Sequence, residues 1–234
     1  MKIAIMQPYF FPYIGYFQLI NAVDKFVVYD DIEYTKKGWI NRNRILINGT
    51  EYLFSIPLKK DSDFQCINKR FLADNYPEHK KKLIGQISSA YSKSSEFKMV
   101  FPLIEECLNF PNANLFYFIL NSLNKVCRYL DIQTEFILSS ALTIDAGLKG
   151  ENKVIEINKK LNSSIYINAI GGMELYSKEN FSKNAIELKF IKTSPIIYPQ
   201  FKNEFVSNLS IIDVMMFNPK EKIQGYLKSF YTLV

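Results

Sequence analysis

The sequence predicts an α/β protein with a mainly parallel, doubly wound sheet and a helical insertion in the middle of the chain. Three observations carry this. Short apolar runs alternate with amphipathic stretches at both ends of the chain, the pattern of strands buried between helices. The first two runs, "KIAIM" and "DKFVVYDD", are separated by one helix-length segment, which suits a right-handed crossover between parallel strands. The stretch over about 72–130 reads as consecutive helices with no strand among them. The whole, 1–234, reads as one domain.

In chain order, 2–6 is a buried strand. Over 15–23, Phe17, Leu19, Ile20 and Val23 recur at helical spacing, and "DKFVVYDD" is the second strand. "NRNRILINGTEYLFSIPL" places two β-rich runs around "NGT", a hairpin signal. "YPEHKKKLIGQISSAYSK" has Pro near its start and Leu83, Ile84, Ile87 and Tyr91 on one face. Helices over 97–110 and 114–130 follow, then the strand "TEFILSS". "ENKVIEINKKLN" is an amphipathic helix, and "SSIYINAIGG" is a strand closed by two glycines. "MELYSKENFSKN" is helical, "IELKFIKT" is a strand, and "SIIDVMMFN" and "KEKIQGYLKSF" are terminal helices.

Composition narrows function by exclusion. A net charge of +6 with no arginine-rich arm or basic stripe argues against nucleic acid as a partner. The lysines of "PEHKKKL" read as one solvated helix face. Three scattered cysteines, Cys66, Cys107 and Cys127, form no CxxC pair and read as reduced thiols. With His79 the single histidine, neither a His-based metal site nor a Ser-His-Asp triad is expected. No apolar run approaches the roughly 20 residues of a membrane span, so a cytoplasmic protein is expected. Aromatics stand out, at 19 Phe and 15 Tyr, and the tyrosines suit both core packing and stacking on a polar ligand.

In open α/β sheets, ligands bind beyond the carboxyl ends of the strands. Three stretches fall there. "QPYFFPYIGY" offers Gln7, Tyr9, Tyr13 and Tyr16, with Gly15 opening a helix whose N-terminus suits an anion. "DDIEYTKKGWINRNRI" offers Asp30 and Asp31 as candidate bases, then Tyr34, Trp39, Asn41, Arg42 and Asn43. If the run is extended, Arg42 and Arg44 share one face, suited to a phosphate, and the asparagines share the other, suited to sugar hydroxyls. "NAIGGMELY" offers Gly171 and Gly172 for a close approach and Tyr176 as a cover. Asp213, polar within an apolar helical run, reads either as the partner of one of these arginines or as a solvated edge.

The set "QPYFFPYIGYFQLI", "DKFVVYDDIEYTKKGWINRNRILING", "YINAIGGMELY" and "LSIIDVMMFN" closely resembles the WbqC-like protein family, nearly end to end. Many members carry His where this chain has Met6, so a mechanism resting on that imidazole is not implied. The resemblance implies a role in bacterial O-antigen or other surface polysaccharide biosynthesis, modifying a nucleotide-linked amino sugar. Transfer of an acyl or aminoacyl group, such as glycyl, to its amine is the implied reaction. An acyl thioester is the expected donor, with no tightly bound cofactor, and an acidic acyl carrier protein is a candidate partner for the "HKKK" helix. A non-catalytic sugar-nucleotide binding module is the alternative.

Overall fold

The structure is a computed structural model that describes residues 1–62, 64–145 and 147–234. Strand β1 (Lys2–Met6), helix α1 (Ile14–Asn21) and strand β2 (Lys25–Val28) form the first crossover, with β1 and β2 paired in parallel. The hairpin β3 (Arg42–Ile47) and β4 (Thr50–Ser55) stands as a separate two-stranded sheet. Its turn residues Asn48 and Gly49 both have positive φ, 52° and 78°, as the "NGT" signal requires of a tight hairpin. A side chain at Gly49 would also meet Asn203 Oδ1, 2.8 Å from the added carbon.

Helices α2 (Tyr76–Tyr91), α3 (Phe97–Leu108) and α4 (Leu115–Tyr129) follow in succession. The chain then returns to the sheet as β5 (Glu135–Leu138), α5 (Gly150–Lys160), β6 (Ile165–Ala169), α6 (Lys178–Lys183) and β7 (Glu187–Thr193). Helices α7 (Ile211–Phe217) and α8 (Lys220–Ser229) lead to β8 (Tyr231–Leu233). The sequence pattern does not announce β8. Three residues carry too little periodicity to show it, and its pairing is tertiary, through reciprocal backbone bonds between Phe190 and Val234.

The six-stranded sheet runs β5-β2-β1-β6-β7-β8, parallel except for β8. From β1 the chain winds outward to β2 and β5, then returns to the other side of β1 with β6. The winding reverses between β1 and β6, the kind of position where doubly wound sheets open a crevice. Alternate strand residues serve two cores. Ala4, Phe26, Val28, Ile167 and Ile191 pack with α1, α4 and α8, while Ile3, Ile5, Val27, Tyr166 and Phe190 pack with α5 and α6. Burial on both faces is why these strands read as unbroken apolar runs.

The thiols of Cys107 and Cys127 are buried, which pushes each up to about 12, and Cys66 is half-buried. Among the described residues, no helix is long and apolar enough to cross a membrane.

Candidate functional site

The three stretches picked from the sequence follow β1, β2 and β6, so all leave the same edge of the sheet. The β1–α1 connection is tightly held. Phe11 adopts a φ of 44°, a left-handed conformation costly for a bulky residue and kept where surroundings enforce it. Its carbonyl accepts from Asn43 Nδ2 at 2.6 Å and from Ser210 Oγ at 2.7 Å. Asn43 also donates to the Phe10 carbonyl, and the Ile211 N–H donates to the Pro12 carbonyl. The Phe10 and Phe11 rings fill the core beneath, so the alternate Tyr9 and Tyr13 are left at the rim.

Those two tyrosines line a cavity of about 200 Å³ with Trp39, Asn43, Arg44 and Asn208. The Arg44 guanidinium lies 4.8 Å from the Trp39 ring centre and pairs with Glu51 at 2.5 Å. Arg42 approaches the same ring at 5.5 Å, as expected for residues two apart on a strand. Its guanidinium is engaged by backbone carbonyls: Nε donates to Gly38 at 2.9 Å, and Nη2 contacts Lys37. Burial raises the pKa of the Tyr9 and Tyr13 hydroxyls, with mutual repulsion adding at Tyr9, so both remain protonated donors at neutral pH. A larger cavity of about 410 Å³ adjoins this one through Tyr13 and Asn208, walled mainly by Ile14, Ile196, Phe205 and Leu209.

At the ends of β2 and β5 lies a second, polar cluster. Asp30 is 2% exposed, and its carboxylate accepts from the Ser140 N–H, the Ser140 hydroxyl and Asn68 Nδ2. The Ser139 hydroxyl sits between the two acids, 2.9 Å from Asp30 Oδ1 and 2.5 Å from Asp31 Oδ1, with one proton to give. Asp31 differs. Its side chain is 30% exposed and its Oδ2 meets Lys153 Nζ at 2.9 Å. Lys153 also lies 5.0 Å from the centre of the Tyr29 ring.

After β6, a side chain at Gly172 would come within 2.7 Å of Asn168 Nδ2, so the glycine serves a close approach. Gly171 is exposed with open space around it. Tyr176 packs edge-on against Tyr166 and Phe181.

Several residues picked from the sequence sit elsewhere. Tyr16 is 1% exposed and its hydroxyl donates to the Gln7 carbonyl, so it braces the loop from the core side. Gly15 is buried, with the Tyr13 ring and Thr193 Oγ1 within 2.6 Å of any added carbon, so this helix end is covered by side chains. Asn41 accepts from the Tyr34 hydroxyl and donates to the Ile56 carbonyl, both at 2.7 Å. Both readings of Asp213 fail. It is fully buried, and it accepts from the hydroxyls of Tyr91 and Tyr198 and from Gln200 Nε2, at 2.6–2.8 Å. Burial raises its pKa, and these three donors act against that rise.

Sequence reasoning missed Ser139, Ser140 and Lys153. Serines after a strand carry no distinctive pattern. Lys153 did leave a signal: it lies in the first turn of α5, where the helix dipole disfavours a cation, and such a lysine calls for a carboxylate nearby.

Over 229 residues, 97% of both chains, the protein is 25% identical to the Mycobacterium tuberculosis protein named "Uncharacterized protein Rv1507c". No solved structure matches it significantly. The model of the WbqC-like protein family matches residues 7–225, which takes in the braced β1–α1 loop, the aspartate cluster and the glycine turn. On that match, the chain belongs to the WbqC-like protein family.

Proposed function

We propose that the protein transfers an acyl or aminoacyl group from a thioester to the amine of a nucleotide-linked amino sugar, in bacterial surface polysaccharide biosynthesis such as that of O-antigen. The observation that carries this reading is the partly exposed Asp31 carboxylate, fixed by Ser139 and Lys153 on the same sheet edge as the aromatic groove. Tyr9, Tyr13 and Trp39 offer ring faces for a base or sugar, and Arg44 offers charge for phosphate. In the transfer, the amine nitrogen attacks the thioester carbonyl, the C–N bond forms and the C–S bond breaks. Asp31 takes the proton lost by the amine, and the sulfur leaves as thiolate. Asp30, its lone pairs occupied, positions Ser139 and Ser140. On this reading the protein is cytoplasmic. An acidic carrier protein would bring the thioester to the lysines of α2.

One observation favours the non-catalytic binding module instead: Asp31 already holds an ammonium partner. Incubation with a nucleotide amino sugar and an acyl thioester separates the two, by mass spectrometry of the amide product. Thermal shift across nucleotide sugars with and without a 4-amino group identifies the acceptor, since a ligand of the folded state raises the melting temperature. Stabilisation by the amino sugar without turnover supports the binding module. A flat panel removes both readings.

A further inference from the structure

At the open end of the hairpin, beside Asn41 and Ser55, Tyr34, Lys36, Lys59, Lys60, Asp61 and Arg70 line a cavity of about 510 Å³. Arg70 is the unusual member. It is 4% exposed, yet among the described residues no carboxylate pairs with it. Nη1 donates to the Ser62 carbonyl at 2.9 Å, and the guanidinium carbon lies 4.6 Å from the centre of the Tyr34 ring. Among the described residues, its buried Nε has no acceptor. With one carbonyl and a ring face as its described partners, the guanidinium is under-compensated, because burying charge is costly unless it is paired.

Burial raises the pKa of the Tyr34 hydroxyl, and the positive charges of Arg70, Arg42 and Lys36 act against that rise, Arg70 most strongly. Lys59 and Lys60 stand exposed at the mouth, with Lys59 reaching outward to the solvated Asp74. Asp61, the one carboxylate among the described lining residues, is turned to its own turn and accepts from the Ser62 N–H at 2.7 Å.

We propose that this cavity is an oxyanion site for a phosphate or diphosphate ester, with Arg70 as its floor and Lys59 and Lys60 at its mouth. Guanidinium geometry matches phosphate oxygens with two parallel donors, and the Tyr34 ring fixes the plane that presents them. The position gives the anion a purpose. Arg70 follows a 3₁₀ turn, Ile67–Lys69, whose Asn68 donates to Asp30. A phosphate ester held on Arg70 is therefore coupled through two residues to the acidic cluster.

The site needs no acyl group, so its test is independent of transfer. Pyrophosphate and inorganic phosphate are titrated calorimetrically into the full chain at fixed ionic strength. Saturable binding is expected, weakened at least about tenfold by Arg70→Met and about threefold by the joint exposed changes Lys59→Ala and Lys60→Ala. Lys228→Ala, an exposed change on α8, controls for general charge. Tighter binding of pyrophosphate points to a diphosphate ester and equal binding to a monoester. The inference is overturned by an absence of saturable binding, or by loss in Arg44→Met while Arg70→Met binds as the wild type does. If Arg70→Met does not fold, the lysine pair decides, and affinity equal to that of the control overturns the proposal.

Discussion

Asp213 and Asp31 are both partly or wholly removed from water, and they solve the problem in opposite ways. Asp213 is surrounded by neutral donors drawn from α2 and from the segment after β7: two tyrosine hydroxyls and a glutamine amide. One of these, the Tyr91 hydroxyl, also accepts from the Leu46 N–H, so a single carboxylate ties α7, α2, β3 and the chain around 198–206 together. Asp31 instead has one hydroxyl and one ammonium, and 30% of its side chain faces solvent. Where neutral donors converge on every side, the acid is a fastener. Where one hydroxyl and one ammonium hold a carboxylate that is still part-exposed, lone pairs remain for chemistry.

The largest effect therefore belongs to the fastener. Asp213→Ala leaves two tyrosine hydroxyls and a glutamine amide buried without their acceptor and is expected to cost about 3–5 kcal/mol. For a chain of this size that is a fall of about 10 °C in melting temperature, read by thermal denaturation. Asp213→Asn keeps the shape and one acceptor and should cost about 1–2 kcal/mol. The sign of the pH dependence follows from the raised pKa. The folded state holds the Asp213 proton more tightly than the unfolded chain does, so this group's contribution falls as pH rises above 3.8 and levels off past the folded value. In Asp213→Asn that component of the stability profile disappears. An unchanged profile would mean that Asp213 ionises alike in both states.

The contrast also marks where sequence stops being informative. β1, Lys2–Met6, is legible to the residue because an apolar run bounded by a lysine and a Gln-Pro pair has few other ways to fold. The hairpin is legible because its turn needs positive φ, and Asn48-Gly49 supplies it. Helix α1 defeats periodicity: every residue from Ile14 to Ile20 is buried, so spacing alone cannot say that Tyr16 faces the core while Tyr13 faces out. Asp213 is opaque for another reason. Its partners Tyr91 and Tyr198 lie 122 and 15 residues away, and nothing local announces them. The aspartate pair was visible as candidate chemistry, but the split between an occupied Asp30 and an available Asp31 depends on Ser139 and Ser140, more than a hundred residues along.

That split gives the next effect in size. Asp31→Asn is expected to lower the rate of amide formation by about 10²-fold while nucleotide-sugar affinity stays within about tenfold, as for removal of a positioned base. Its melting temperature should change little, because the side chain is partly solvated. Asp30→Asn should do the reverse, lowering stability by about 1–3 kcal/mol through a donor left facing donors. If both substitutions act on the rate equally with no difference in stability, the two acids work as one unit and the comparison between them fails.

The smallest of these effects lies in the groove. Trp39 carries two arginines on its ring and is itself 37% exposed, so its removal opens no core cavity. Trp39→Ala should leave the fold within about 1 kcal/mol and weaken binding of the nucleotide sugar by about tenfold, the value of one lost stacking partner. Trp39→Phe keeps a ring for the arginines and should recover most of that affinity. Since Trp39 is the chain's single tryptophan, its fluorescence reports ligand binding in the wild type directly. Quenching by a nucleotide sugar that Asp31→Asn leaves intact would separate recognition in the groove from chemistry at the acidic edge. Quenching abolished by Asp31→Asn would mean that one ligand spans both, with Asp31 contributing to its grip.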